Sequence, residues 1–136
     1  VGFRAEKSAE PIFIFEPKIR GKGLDLKLNI LKASVNVCAD VNRIKQVLSN
    51  LLSNAVTSTD KGSIEILLKE MPGDVEFSIT DTGAGALPGK VMDLGLYISK
   101  AIIEKHNGKF WSENVPGRGS RYSFRLPKHK PETASP

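Results

Sequence analysis

Residues 40–55 read DVNRIKQVLSNLLSNA, and the spacing inside this stretch decides how the chain is organised. Ile44, Val47, Leu48, Leu51, Leu52 and Ala55 recur at intervals of three and four. That period predicts an amphipathic helix of about four turns. Asp40 predicts its N-cap, because a carboxylate there accepts from backbone N–H groups that lack a partner inside the helix. Asn50 and Asn54 lie four apart, so they project from one side, one turn above the other, beside Leu51, Leu52 and Ala55. Two amides at the border of a buried face are costly unless something hydrogen-bonds them.

Beyond this helix, Asp60-Lys61-Gly62 signals a turn. Ile64, Ile66 and Leu68 recur at a period of two and predict a strand. Pro72-Gly73-Asp74 turns the chain, and Val75, Phe77 and Ile79 predict the antiparallel return. Asp81-Thr82-Gly83-Ala84-Gly85 leaves that strand as a glycine-rich loop, and the loop continues through Asp93. Leu94, Ile98, Ala101 and Ile102 then predict a second helix, running to about His106 and closed by Asn107-Gly108. Phe110 and Ser112, then Tyr122, Phe124 and Leu126, predict a closing hairpin about Pro116-Gly117-Arg118-Gly119.

Before the first helix, Leu24, Leu26, Leu28 and Ile30 alternate with polar residues, and Val35, Val37 and Ala39 repeat the signal. The two runs read as an antiparallel pair. Ile12–Phe15, stopped by Pro17, reads as an edge strand or as the remnant of an element from a longer parent protein. The expected division is a remnant or edge element over 1–20, one domain over 21–127 and a disordered tail over 128–136. The order of elements predicts an α+β two-layer sandwich, a mostly antiparallel mixed sheet with helices on one face.

The 136 residues are 40% hydrophobic and 26% charged, the make-up of one ordinary folded domain. No apolar run approaches the roughly 18–20 residues needed to span a bilayer, and no N-terminal stretch resembles a signal peptide. The single Cys38 excludes an internal disulfide framework and a multi-cysteine zinc site. Those absences favour a reducing, cytoplasmic setting. Lys and Arg number 20 against 15 Asp and Glu, a net charge of +5 that suits an anionic partner. The basic residues are scattered, and neither cluster (Lys18–Lys22, Lys128–Lys130) is interleaved with aromatics, so no nucleic acid is expected.

Three constellations could carry chemistry. Asn50 and Asn54 either cap a neighbouring loop or simply face water, or they hold a Mg²⁺ ion or polar ligand atoms through their oxygens. Asp81 with Gly83 and Gly85 is either a turn with a satisfied carboxylate, or a slot where a buried carboxylate reads a purine amino group. Gly95 is either a tight helix–sheet packing position, or an opening of helix amides onto an anion.

Together the three are more specific than singly. Gln46–Ala55 resembles the N box of sensor histidine kinases, and Asp40–Ile44 matches the usual lead-in. Asp81–Gly85 resembles their G1 box, and Leu94–Lys100 the end of their G2 box. His106–Trp111 and Gly117–Pro127 are similar to the family's closing hairpin. The resemblance implies the GHKL ATPase fold and a catalytic, ATP-binding domain. By position, Asn54 would be the main Mg²⁺ ligand and Asn50 would sit near metal and phosphates. Asp81 would read the adenine, Gly83 and Gly85 would shape its slot, and Gly95 with the amide of Leu96 would meet the phosphates. The γ-phosphoryl of ATP would pass to a histidine on a separate dimerisation domain, mostly by positioning and charge neutralisation. A response regulator would be an indirect partner, and membrane contact would come only through other parts of a parent receptor.

The sequence also departs from the family. Its members usually carry a Lys and an aromatic where Thr57 and Ser58 stand. A long mobile ATP lid normally follows the G1 box, yet only Ala86–Asp93 is present, with Val91 and Asp93 in place of the first G2 glycines. An aspartate about 4 Å from a phosphate charge costs about 4 kcal/mol at an effective dielectric of about 20. The lid is therefore expected to be shortened or deleted, by evolution or by engineering, with weakened nucleotide binding. The alternative is a non-catalytic module of the same fold acting in docking or regulation.

Overall fold

The computed structural model describes residues 2–4, 10–30, 36–59, 61–82, 94–115 and 119–128. In chain order these form β1 (Gly2–Arg4), α1 (Glu10–Gly21), β2 (Asp25–Ile30), β3 (Asn36–Cys38), α2 (Val41–Ser58), β4 (Ser63–Met71), β5 (Asp74–Asp81), α3 (Leu94–Lys105), β6 (Lys109–Val115) and β7 (Gly119–Pro127). Among the described residues, β2-β4-β5-β7-β6 make a five-stranded sheet. All its pairings are antiparallel except that of β2 with β4. The α+β expectation of a mostly antiparallel mixed sheet holds.

α2 forms as its spacing predicts. Asp40 Oδ1 accepts from Asn42 N at 2.9 Å and Arg43 N at 3.4 Å, and Ile44, Val47, Leu48, Leu51, Leu52 and Ala55 are buried. They pack on the sheet face made by Ile64, Ile66 and Leu68 of β4, Val75, Phe77 and Ile79 of β5, and Tyr122, Phe124 and Leu126 of β7. Phe77 and Phe124 are cross-strand partners, stacked with centroids 4.6 Å apart. α3 closes as Asn107-Gly108 predicts: Asn107 has φ 61°, its N–H donates to Glu104 O, and Gly108 N–H donates to Ile103 O. This wrap satisfies the last carbonyls of the helix.

Three expectations need correction. Ile12–Phe15 is not an edge strand but lies inside α1, with Pro17 within the helix and Ile12 and Ile19 buried in the core. Those two residues sit seven apart on one helix face, while Phe13 and Ile14 are exposed, so the run hides its period. The 24–30 and 35–39 runs do not pair with each other. β2 pairs parallel with β4, and β3 pairs antiparallel with β1, a strand the sequence did not signal. Parallel neighbours need a long crossover connection, and α2 lies within the one between β2 and β4. Order also extends to Lys128, whose N–H donates to Gly73 O at 2.9 Å. Residues 129–136, expected as tail, lie outside the described residues.

Candidate functional site

α2 and α3 run antiparallel. Asp40 N–H donates to His106 Nε2 at 3.2 Å at one end of the pair. Nearer the other end, Asn50 Nδ2 donates to Gly95 O and to Ser99 Oγ, both at 3.3 Å. Ser99 is fully buried, and its own hydroxyl donates to Gly95 O at 2.8 Å. One turn along α2, Asn54 Nδ2 donates to the hydroxyl of Tyr122 on β7 at 2.8 Å. The two amides therefore bond to different elements, one to α3 and one to the sheet.

Asn50, Ser53, Asn54, Thr57 and Gly95 line an open cleft of about 200 Å³. At roughly 30 Å³ per water, that is room for several waters or a small polar group. The sequence singled out Asn50, Asn54 and Gly95, and the fold brings all three to this cleft. Leu96 is buried next to Gly95, in the first turn of α3. Ser53 and Thr57 were not among the predicted binding residues. Their signal was present, since 50, 53, 54 and 57 follow the helical spacing of three and four. Each amide nitrogen is spent on a protein acceptor, and no described residue donates to either Asn Oδ1. Two neutral amide oxygens on one cleft fit a hard divalent cation that keeps part of its water shell.

Asp81 ends β5 at 1% exposure, not in bulk solvent. It is the cross-strand partner of Ile64 on one side and Ser120 on the other, two residues beyond Ile79, which pairs with Tyr122. Asp81 thus lies two positions along the sheet from the residue whose hydroxyl holds Asn54. Two glycines fix this strand end. Gly119 has φ +109°, and a Cβ there would lie 2.0 Å from Asp81 O. Gly62 has φ +108°, and a Cβ there would lie 2.0 Å from Thr82 Oγ1, which accepts from Ser63 N at 2.9 Å. Thr82 N–H donates to Ser63 O at 3.1 Å. Gly83, Gly85, the 86–93 connection with Val91 and Asp93, and the side chain of Ser58 lie outside the described residues.

His106 is engaged at both ring nitrogens, Nε2 by Asp40 N–H and Nδ1 by Ile102 O at 2.8 Å. It ties the two helices together. No group of metal-ligating His, Cys, Asp and Glu side chains occurs among the described residues. No helix among them is long and apolar enough to cross a membrane.

The sequence profile described as histidine kinase-, DNA gyrase B-, and HSP90-like ATPase matches residues 39–130. The adaptive-response sensory kinase SasA of Synechocystis sp. is 31% identical over an alignment of 147 positions that covers 93% of this chain and 38% of that protein. The chain therefore spans well under half the length of this relative. The catalytic domain of histidine kinase ThkA superposes with a TM-score of 0.81 at 33% identity, covering 94% of this chain and 95% of that one. ThkA solved in complex with the response regulator TrrA gives 0.81 at 34% identity, over 95% of this chain and 42% of that one.

Proposed function

The chain belongs to the histidine kinase-, DNA gyrase B- and HSP90-like ATPase family, and from that premise we propose that it is the ATP-binding catalytic domain of a sensor histidine kinase. In this reading it presents ATP so that the γ-phosphoryl leaves ADP and bonds to an imidazole nitrogen of a histidine on a separate dimerisation domain. The observation that carries the reading is the cleft where Asn50, Asn54 and Gly95 meet. Asn54, with Asn50 beside it, would hold Mg²⁺, which when bound would neutralise charge on the phosphate oxygens. Asp81 would accept from the adenine amino group, in a buried position where one such bond discriminates strongly between bases. Gly83 and Gly85 would shape that slot, and Gly95 and the amide of Leu96 would meet the phosphates. The occupied ring nitrogens of His106 fit a donor module rather than a phosphate acceptor. A cytoplasmic location and an indirect response-regulator partner follow from the same reading.

Thr57 lines the cleft where the family's lysine is expected, and the 86–93 span is short. Both support weak nucleotide affinity and little transfer from this chain. A thermal-shift titration with ATP and MgCl₂ tests the reading, alongside transfer from labelled ATP to a supplied phosphoacceptor domain. Wild type should be stabilised by ATP, and Asp81→Asn should weaken ATP by about tenfold or more while leaving GTP no better than before. A micromolar dissociation constant with efficient transfer would overturn the impairment. Complete indifference to ATP would favour the second reading that Thr57 supports, a docking or regulatory module of the same fold.

A further inference from the structure

We propose that the hydroxyls of Tyr122 and Ser99 are positioning groups that hold the Asn54 and Asn50 amides with their carbonyl oxygens turned toward the cleft. The inference rests on the cation-binding reading above and adds the residues that make it work. An asparagine amide has two ends of nearly the same shape and opposite character. Only the oxygen end attracts a cation, and the NH₂ end repels it. An amide free to rotate would offer the wrong end for part of the time.

At Asn50 the choice is forced. Gly95 O can only accept, and the Ser99 hydroxyl proton already goes to that same carbonyl at 2.8 Å. The Ser99 oxygen therefore faces Asn50 with a lone pair, and two acceptors hold Nδ2 at 3.3 Å each. A flipped Asn50 would set oxygen against oxygen at both contacts.

Asn54 has one hold of a different kind. The Tyr122 hydroxyl accepts from Nδ2 at 2.8 Å and so keeps the amide in place with its oxygen free for the cleft. A phenol, able to donate as well as accept, does not forbid the flip as the Asn50 partners do. Tyr122 projects from the helix-facing side of β7, opposite Ile79, and is 6% exposed. Its ring belongs to the core, and a phenylalanine would fill the same space. The hydroxyl is the part that reaches Asn54. Outer partners of this kind typically govern metal affinity by about 10–100-fold, without touching the metal. Because Asn54 has a single holding bond and Asn50 has two, Tyr122 should matter more than Ser99.

The test is Tyr122→Phe in the full chain, with ATP bound at a series of MgCl₂ concentrations and in EDTA, followed by chemical shifts of labelled protein. Wild type should bind ATP more tightly as MgCl₂ rises. In Tyr122→Phe that gain should fall by about tenfold, with affinity in EDTA unchanged. Ser99→Ala carries the same test independently through Asn50 and should show a smaller loss of the same kind, since Gly95 O remains. A Mg²⁺ gain equal to wild type in both variants would overturn the proposal. So would an equal loss with and without Mg²⁺, which marks a merely structural role. A wild type that binds ATP with no gain from Mg²⁺ would instead sink the cation reading beneath it, and one showing no ATP-dependent shift would sink the nucleotide site itself.

Discussion

The two walls of the proposed site are built by different means. The α2–α3 seam is held by side-chain hydrogen bonds, His106 to Asp40 at one end and Asn50 to Gly95 and Ser99 nearer the other. The β5 end is held by close backbone approaches, with Gly119 against the Asp81 main chain and Gly62 against the Thr82 side chain. The difference is one of tolerance. A hydrogen bond lost at the seam costs about 1 kcal/mol and the packing survives. A carbon added at Gly119 has nowhere to go, because every near atom is backbone.

The sharpest way to break this contrast is Gly119→Ala. The backbone there has φ +109°, and the new carbon would collide with the carbonyl oxygen of Asp81. Urea unfolding should show a loss of about 3 kcal/mol or more, and ATP binding should disappear with the displaced Asp81. A loss under 1 kcal/mol would mean that the strand end yields as readily as the seam.

Gly62→Ala should come next, at about 2 kcal/mol, since its collision is with a rotatable hydroxyl as well as an unfavourable φ. Thr82→Ala removes that hydroxyl, so in a double-mutant cycle the two changes together should cost less than their sum. Strict additivity would show that Gly62 is needed for its backbone angle alone.

The smallest effect belongs to the seam. His106→Phe leaves Asp40 N–H without its acceptor and should cost about 1 kcal/mol in the same assay. A loss near that of Gly119→Ala would erase the distinction between the two walls.

Much of this was legible in the sequence because it depends on local periodicity. The apolar spacing of 44–55 and the capping chemistry of Asp40 fixed α2, and the Pro72-Gly73 turn fixed the hairpin of β4 and β5. Asn50, Asn54 and Gly95 stood out in the sequence as candidates, and the fold brings them to one cleft. Other features were not legible. α1 conceals its helical period because Phe13 and Ile14 face outward and Pro17 reads as a stop. The 24–30 run announced a strand but not its partner, since alternation records which face is buried and says nothing about which neighbour supplies the hydrogen bonds.

The sequence by itself determined the secondary elements of the central region, the family and the asparagine pair, because each is written in spacings of a few residues. Only the tertiary structure decided that β2 runs parallel to β4, that glycines at 62 and 119 lie under the end of β5, and that a tyrosine 68 positions away holds Asn54. Those facts depend on which segments meet in space. Residues distant along the chain leave no periodic mark on one another, and a phenol on a buried face looks like any other core aromatic until its hydroxyl finds a partner.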